Sequence, residues 1–574
     1  MTDQLLDTPS KHPVSFAGLA DNAWNRLSEA ALSTGWKPVT KLAEAAVVAQ
    51  VQISVFLLLP GYIEPYFYRL MRNITQGQLK VLTFSHIYTF PSHQTTAQIE
   101  DGGHQAELRV VNDVFWVRLC AMGDLGFAEA YMYGDVECDD LISLFQIFLN
   151  NRSHLSNLSS SLSYLFTLPQ KLTSYRFLNT ISNSRSNISA HYDISNDMFA
   201  GFLSKDMTYS CAIFEDLDGD LKGGEQGELK GRWNGGHGLK KLTNGMMNGV
   251  PLLSIPSPAP KKTERGLPSP PLTALTKTVP STSPEPNVAA EPPSFSDPLE
   301  DAQYRKLHHI IRKARILPGH RVLEIGSGWG SLSMLIAKTI PNTTVDTLTL
   351  SVEQQSLALS RIKAEGLGER VQVHLMDYRH MPEEWKGKFD RVVSVEMIEA
   401  VGKEFLEGFW AKVEWAMKEQ ESVGVVQVIT IPEARFERYI KEIDFIRKWV
   451  LFPGGFLPTL TFLLQTLTSG SRGTLTVDSI SNIGPHYART LREWRKRFVQ
   501  RFEEVVVPAL QREYPEVMGV AKGKKGRKEI EVFKRKWIYY YCYCEVGFTT
   551  RTLGDHIITF TREGAQSYGC DSFN

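Results

Sequence analysis

Cysteine is scarce in this chain. The 574 residues contain only six, which are Cys120, Cys138, Cys211, Cys542, Cys544 and Cys570. Such sparse usage excludes a disulfide-stapled scaffold and is typical of a reducing compartment. Cys542 and Cys544 are separated by one residue instead of the two usual at zinc sites, and no histidine cluster accompanies them. We therefore predict no metal site.

An excess of charge of either sign is also missing. Lysine and arginine together number 63, and so do aspartate and glutamate. We therefore expect no nucleic-acid partner, because a surface for one is strongly basic. The opening MTDQLLDTPSKHP lacks the basic stretch and apolar core of a signal peptide, so we predict a cytoplasmic location.

Long apolar runs are absent as well. The best candidate, VVAQVQISVFLLLPGY at residues 47–62, is interrupted by Gln50 and Gln52 and ended by Pro60. It falls short of the roughly 20 apolar residues that a membrane-spanning helix needs. Two interpretations stay open, namely a buried helix or strand pair and an amphipathic segment at a membrane surface.

The length points to more than one folded region. Residues 1–150 predict a small α+β domain, in which an apolar helix near 139–149 follows the β-rich runs LKVLTFSHIYTF, AQIED, AELRVVND and VFWVRLCAM. Residues 151–216 predict a helical connector that ends in the aromatic-rich HYDISNDMFAGFLSKDMTYSCAIFED.

A low-complexity stretch follows at residues 217–299. Thirteen of the 29 prolines of the chain lie between 251 and 300. Such a composition buries too little apolar surface to offset the entropy of ordering, so we predict a disordered insert. A neutral insertion and a tether for interaction or phosphorylation are both compatible with it.

Residues 300–574 alternate between helical and β-rich segments. An amphipathic helix, DAQYRKLHHIIRKARI, precedes the short β-rich runs RVLEIGSGWG, TTVDTLTLS, VQVHLMD, FDRVVSVEM and GVVQVITI. That alternation predicts a Rossmann-like α/β domain built on a mainly parallel sheet.

A glycine-rich turn follows the first strand of this domain. Gly326, Gly328 and Gly330 allow a tight turn and a close ligand at the carboxyl end of the strand. Ser331 stands where a dinucleotide loop has its third glycine, which disfavours NAD and FAD. With the acidic Glu324 just before it, the loop fits S-adenosylmethionine.

Polar residues also end the next two strands. Thr349, Ser351 and Gln354 follow the second, where ribose hydroxyls usually bind. Asp377 and Tyr378 follow the third, as candidates to bond the adenine amine and to stack on the ring. Three strand ends in register predict one cofactor pocket.

Motifs along most of the folded chain resemble the cyclopropane-fatty-acyl-phospholipid synthases and the related mycolic acid cyclopropane synthases. The matching segments are GDLGFAEAYM, HYDISNDMFAGFL, MTYSCAIFED, VLEIGSGWG, LTLSVEQ, FDRVVSVEMIEAVG, DFIRKWVLFPGGFLP, HYARTLREWRKRF and YCYCEVGF. The resemblance implies a class I methyltransferase fold after a smaller N-terminal domain. It also implies methylene transfer from S-adenosylmethionine to the double bond of an unsaturated phospholipid acyl chain.

The resemblance also implies roles for individual residues. It makes the segment before the insert a lid, so that Tyr209 and Ser210 join the cofactor contacts, and it adds Leu350 to them. It implies a reaction centre whose catalytic candidates are Cys211, Glu399, Tyr487, Gln427 and Cys544. In that family a bicarbonate ion acts as the base, and Cys211, Glu399 and Tyr487 match residues around it.

Two positions depart from that pattern. Ala400 and Gln427 stand where many members carry histidine, and the second of these histidines helps to hold the bicarbonate. A neutral amide still donates a hydrogen bond, but the base and the fate of the intermediate stay open here. The alternatives are a methyl-branching or alkene-methylating enzyme and a non-catalytic relative that binds lipid or cofactor.

Two further segments bear on a lipid substrate. Residues 451–467 supply apolar side chains either for an acyl channel or for the core. The basic run at 522–536 either docks on anionic headgroups, giving peripheral membrane contact, or forms a solvated surface. A homodimer is compatible with the resemblance.

Overall fold

The computed structural model describes residues 71–91, 103–155, 195–221, 296–442, 444–450 and 455–566. The interpretations given above for residues 47–62 and for most of the predicted insert lie outside these ranges. The helical connector predicted from residue 151 is described only at its two ends.

The first region is a small α+β arrangement. Its elements are β1 (Gln78–Leu82), β2 (Ile87–Phe90), β3 (Gln105–Val110), α1 (Val114–Met122), α2 (Asp124–Tyr133), β4 (Val136–Cys138), α3 (Leu141–Asn150) and α4 (Arg152–Leu155). The strands form one sheet in the order β2-β1-β3-β4. The apolar helix predicted near 139–149 is confirmed as α3, which Asp140 caps by accepting from Ile142 N at 3.0 Å.

One predicted strand in this region was wrong. The run VFWVRLCAM is α1, a helix bounded by Asp113 and Gly123. Aromatic and β-branched residues favour strands only weakly, and packing overrides that preference. Here the rings of Phe115 and Trp116 are buried in the core, and α1 packs along α2.

The second region holds the larger sheet. Its first elements are α5 (Asn196–Ala200), α6 (Pro298–Lys313), β5 (Arg321–Ile325), α7 (Ser331–Thr339), β6 (Thr344–Thr349), α8 (Val352–Ala364), β7 (Val371–Leu375), β8 (Arg391–Val395), α9 (Leu406–Ala416) and β9 (Val423–Thr430). The remaining ones are α10 (Glu433–Lys441), α11 (Leu460–Gly470), β10 (Leu475–Asn482), α12 (Gly484–Arg501), α13 (Val507–Glu513), α14 (Pro515–Met518), α15 (Gly523–Thr549) and β11 (Gly554–Arg562).

The seven strands lie in the order β10-β11-β9-β8-β5-β6-β7. The five from β5 to β9 are parallel, while β10 and β11 run antiparallel at one edge. Near-continuous burial along β5, β8 and β9 is what a sheet covered on both faces requires. The predicted Rossmann-like α/β fold with a mainly parallel sheet is confirmed.

Two long helices connect this sheet to the first region. The helix α15 packs against α12 and also against α2 and α3, and all described residues belong to one compact unit.

The predicted amphipathic helix after the insert is confirmed as α6, which starts at Pro298 because Asp297 caps it. None of the helices in the described ranges is both long and apolar enough to cross a membrane.

Candidate active site

A cavity of about 730 Å³ lies at the carboxyl ends of the parallel strands. Its floor is formed by the residues that follow β5, β6, β7 and β8. Within the sheet, β5 lies between β6 and β8, so the chain order reverses there. Ligands of open α/β sheets bind at such a switch point.

The glycine turn after β5 lines this cavity. Gly326 and Gly328 have φ of 104° and 49°, in the region that favours glycine. A Cβ on Gly326 would lie 3.1 Å from the side chain of Met397, whereas one on Gly328 would meet no atom within 4 Å. The backbone at Gly328 therefore faces open space. Gly330, with φ of 86°, begins α7 behind the cavity wall.

Glu324 is the last residue but one of β5 and also lines the cavity. Its Oε2 accepts a hydrogen bond from Thr347 Oγ1 at 2.6 Å and another from the hydroxyl of Ser333. Burial raises the pKa of Glu324 to about 7, although both hydroxyls act in the opposite direction. Since both donors use Oε2, Oε1 is left to accept from a ligand.

Of the four residues predicted at the end of β6, three line the cavity and the fourth caps a helix. Thr349, Leu350 and Gln354 line the cavity, and Thr349 Oγ1 donates to Gln354 Oε1 at 2.8 Å. Ser351 instead caps α8, where its Oγ accepts from Gln354 N at 3.2 Å.

The end of β7 places Asp377 and Tyr378 at the same cavity. The Asp377 carboxylate accepts two hydrogen bonds from the side chain of Arg379, at 2.9 and 2.6 Å. Burial opposes ionisation, but these bonds prevail and lower the pKa of Asp377. The Tyr378 ring packs edge-on against Phe409. Any bond from Asp377 to a ligand is therefore made by a carboxylate already paired with arginine.

The segment before the insert is held over the cavity by two helices. Gln303 Nε2 of α6 donates to Ser210 O at 2.8 Å, and Lys306 Nζ donates to Ser210 Oγ at 2.6 Å. The Tyr209 hydroxyl lies 3.2 Å from that of Tyr540 on α15. Tyr209 and Ser210 both line the cavity.

Glu396, which our sequence analysis did not single out, accepts hydrogen bonds from three residues of the reaction centre. Its Oε1 accepts from Cys211 N at 2.7 Å and from Gln427 Nε2 at 2.8 Å. Its Oε2 accepts from the Tyr487 hydroxyl at 2.6 Å. Three predicted residues thus meet on one carboxylate, which itself lines the cavity.

Asp555, at the start of β11, is a second unpredicted acid. Its Oδ2 accepts from Gln427 Nε2 at 2.8 Å, and its buried Oδ1 has no hydrogen-bond partner among the described residues. Burial raises the pKa of Asp555 well above its usual range, and the neighbouring Glu396 raises it further.

Glu399 lies beside this pair. Its Oε1 accepts from Ile429 N at 2.6 Å, while its buried Oε2 has no partner within the described ranges. Burial, and then the charge of Glu396, raise the pKa of Glu399 to about 8. The carboxyl is therefore neutral at neutral pH, with Oε2 free to bond a ligand in the cavity that Glu399 lines.

The two candidate cysteines are both buried as neutral thiols. Cys211 reaches Glu396 through its backbone N, while its Sγ donates to Ala212 O at 3.4 Å. Cys544 lines the cavity from α15. Burial raises the pKa of both thiols, so neither is suited to act as a thiolate.

The far wall of the cavity is apolar and aromatic. The first region contributes Met71, Leu108, Phe115, Phe127, Phe145 and Phe148. The helices α12 and α15 add Tyr487, Phe548 and Tyr540. The rings of Tyr487 and Phe548 are stacked, with their centroids 4.4 Å apart. Of the proposed acyl segment 451–467, Leu457 lines the cavity, whereas Leu463 and Leu467 are core residues of the second region.

Three charged residues of the site were missed by sequence reasoning, for two different reasons. Glu396 directly follows β8, and Glu324 is the last residue but one of β5, so the rule that acids at strand ends face the ligand could have found Glu396. Asp555 and Lys306 carry no such local signal, because only the tertiary fold brings β11 and α6 to the reaction centre.

The parallel sheet, the positive-φ glycine turn and the cavity beside them define a Rossmann-like class I methyltransferase. The profile of the family described as mycolic acid cyclopropane synthetase matches residues 180–234 and 293–556. That is more than half of the chain, which therefore belongs to this family of S-adenosylmethionine-dependent lipid methyltransferases.

The chain is similar to two named relatives and to one solved structure. The chain is 31% identical over 447 residues to the tuberculostearic acid methyltransferase of Mycobacterium tuberculosis, covering 78% of this chain and 81% of that one. It is 26% identical over 464 residues to the cyclopropane-fatty-acyl-phospholipid synthase of Escherichia coli, covering 80% and 89%. A solved mycolic acid cyclopropane synthase in complex with SAH and CTAB aligns with 66% of this chain and 97% of its own, at 21% identity and a TM-score of 0.42.

Proposed function

We propose that this protein methylates the cis double bond of an unsaturated phospholipid acyl chain and then removes a proton to close a cyclopropane ring. The observation that carries the proposal is one continuous cavity. It runs from the glycine turn, past Glu396 and Glu399, to the apolar wall of the first region.

Positioning is the first task of the site. S-adenosylmethionine supplies an electrophilic sulfonium methyl, which a weakly nucleophilic alkene can attack only when the two are aligned. Tyr209 and Ser210 of the lid and the backbone at Gly328 border the same cavity. The apolar wall of the first region would hold the acyl chain.

Protecting a carbocation is the second task. Water would quench the cation, and the buried lid contacts from Gln303 and Lys306 to Ser210 help to exclude it. The aromatic faces of Tyr487 and Tyr540 offer non-covalent stabilisation of about 0.5–2 kcal/mol each. Neutral Cys211 and Cys544 offer no thiolate that would trap the cation.

The phospholipid form of the substrate is supported by charged side chains along the first-region side of the cavity. Asp124, Arg152, Arg435 and Arg447 line it there, where a polar headgroup could be accommodated. Lys524, Lys525 and Lys528 are exposed near the start of α15 and suit contact with an anionic membrane surface. Membrane contact and a homodimer belong to this proposal.

The direct test incubates purified protein with S-adenosylmethionine and vesicles of phosphatidylglycerol with monounsaturated chains. We expect a gain of one CH₂ unit by mass spectrometry and upfield cyclopropane protons by NMR. Binding of S-adenosylmethionine without any altered lipid would instead support the non-catalytic alternative.

A second candidate product is favoured by the name of one relative, which is a methyltransferase rather than a cyclopropane synthase. Loss of a different proton from the same cation gives a methylated alkene. This product has the mass of the cyclopropane but retains an alkene that NMR detects. A saturated methyl branch would add two further hydrogens and would need a separate hydride donor.

A further inference from the structure

The Glu396 carboxylate occupies a position prepared for an anion. Its donors come from three separate elements, which are Cys211 N in the lid, Gln427 Nε2 in β9 and the Tyr487 hydroxyl in α12. Cys211 and Tyr487 match residues that surround the bicarbonate base in the resembling family, and Gln427 stands where a bicarbonate-holding histidine is usual. A carboxylate and a bicarbonate share the same planar O–C–O group, so the donors that suit one also suit the other.

The backbone at Glu396 is unusual in a way that fits this role. Its φ of 47° lies in the left-handed region, where glycine is favoured and glutamate is not. Glu396 N is held there by a 2.8 Å hydrogen bond to Gln427 O. Strained residues concentrate at functional sites, where the surrounding structure holds them in place. Here the strained conformation directs the side chain onto its three donors.

Burial raises the pKa of Glu396, whereas the hydrogen bonds from Cys211 N and Tyr487 and the charge of Lys306 act in the opposite direction. The groups that face Glu396 are Lys306 from α6, Tyr487 from α12, Asp555 from β11 and Glu399 from the turn after β8. Burial also raises the pKa of Glu399 to about 8 and that of Asp555 well above its usual range, and the charge of Glu396 raises both further. Burial lowers the pKa of the neighbouring Lys306, which the charge of Glu396 partly offsets.

We propose that Glu396 is the general base of the reaction and makes the enzyme independent of bicarbonate. This inference rests on the proposed function. The alkene forms a C–C bond to the methyl carbon as the S–C bond breaks, which leaves a carbocation on the acyl chain. Glu396 then takes a proton from the new methyl group, and the C–H electron pair closes the ring. Glu396 ends as a carboxylic acid, whose proton is returned to solvent before the next turnover.

The first experiment compares wild-type rates in CO₂-free buffer with and without added bicarbonate. We expect equal rates of lipid product. A rate that rises with bicarbonate concentration would overturn the inference while leaving the proposed function intact. Absence of product under both conditions would instead refute the proposed function, and the inference with it.

The second experiment replaces the carboxylate. Glu396→Gln preserves the shape and should lose about 100-fold or more in rate, the range for removal of a general base. Glu396→Gly relieves the backbone strain and vacates the three donors. We expect it to be equally slow and to be rescued by bicarbonate or acetate. Glu404→Gln, an exposed acid in the next turn, is the matched control and should retain the wild-type rate.

A binding readout makes the same test without catalysis. Acetate or bicarbonate should raise the melting temperature of Glu396→Gly but not that of the wild type, because only the variant has the three donors free. Affinity for S-adenosylmethionine should be unchanged in both variants. A Glu396→Gly protein that shows neither anion-dependent stabilisation nor rescue would refute the assignment, as would a Glu396→Gln protein of wild-type activity.

Discussion

The ammonium of Lys306 lies 2.6 Å from the hydroxyl of Ser210, and the lysine side chain is fully buried. Burial lowers the pKa of Lys306, and the nearby Glu396 carboxylate acts in the opposite direction. This one contact ties the lid to α6 and places a positive charge beside the reaction centre. The lid and the charge balance of the site therefore depend on the same side chain.

Lys306→Met should therefore destabilise the protein as well as slow the reaction. Removing one partner from a buried charged group leaves the other uncompensated, so we expect the free energy of unfolding to fall by about 3 kcal/mol. Urea unfolding measures this. Lys363→Met, on the exposed face of α8, is the control and should leave stability nearly unchanged. Equal effects of the two substitutions would show that Lys306 has no special role.

The ring of Tyr209 is expected to matter more than its hydroxyl. The ring centroid of Tyr209 lies 5.1 Å from that of Trp494 and 5.3 Å from that of Phe199. The hydroxyl oxygen lies 3.2 Å from that of Tyr540. Tyr209→Ala should weaken S-adenosylmethionine binding about tenfold, since an aromatic contact contributes about 0.5–1.5 kcal/mol beyond its buried area. Tyr209→Phe keeps the ring and should stay near wild type. Calorimetric titration separates the two, and equal losses would contradict the packing argument.

Substitution of the candidate cysteines should have little effect on chemistry. Cys544 is buried with its pKa raised first by burial and then by Asp444, so it is a thiol at neutral pH. Cys211 serves through its backbone N, which Cys211→Ser retains. In the lipid assay, we expect Cys544→Ala and Cys211→Ser to retain activity of the same order of magnitude as the wild type. Abolition of activity by Cys544→Ala, in a protein that still binds cofactor, would reinstate a catalytic thiol.

Stability should fall as pH rises because of Glu399. Its carboxyl titrates near pH 4.5 when unfolded and near pH 8 when folded. Between those values the native state holds a proton that the unfolded state has lost, so the free energy of unfolding decreases with pH. Glu399→Gln removes this contribution. The free energy of unfolding of the variant, relative to that of the wild type, should therefore increase between pH 4.5 and pH 8 and stay constant above pH 8. Urea unfolding at several pH values measures it, and a difference that stays constant with pH would contradict the raised pKa.

The features predicted correctly from the sequence are those that a short run of residues specifies by its spacing and residue types. The glycine turn at Gly326 and Gly328 and the three strand ends needed only spacing and residue type. The helix α1 was mistaken for a strand because its aromatic residues serve packing, which a single segment does not reveal. Glu399 was predicted through resemblance. Glu396 could have been recognised as an acid at a strand end, but its three donors, from the lid, β9 and α12, could not. Those donors lie far apart in the sequence, so only the fold could bring them together.

The predicted insert should be removable, provided that its anchors are kept. Asp220 accepts from Arg492 Nε at 2.6 Å, and Asp297 caps α6 and accepts from Arg497 Nη1 at 2.7 Å. Replacing residues 222–295 by a short Gly-Ser linker preserves both contacts. We expect wild-type lipid product and stability, because closing a shorter flexible loop changes the entropy only slightly.

The matched deletion of 220–298 removes both aspartates and the cap. It should lower the free energy of unfolding by about 2 kcal/mol relative to the shorter deletion, through the lost cap and charged hydrogen bonds. Denaturant unfolding and the lipid assay compare the two proteins directly. Loss of activity in the shorter deletion, in protein that still folds, would show that the insert takes part in the reaction or in substrate delivery.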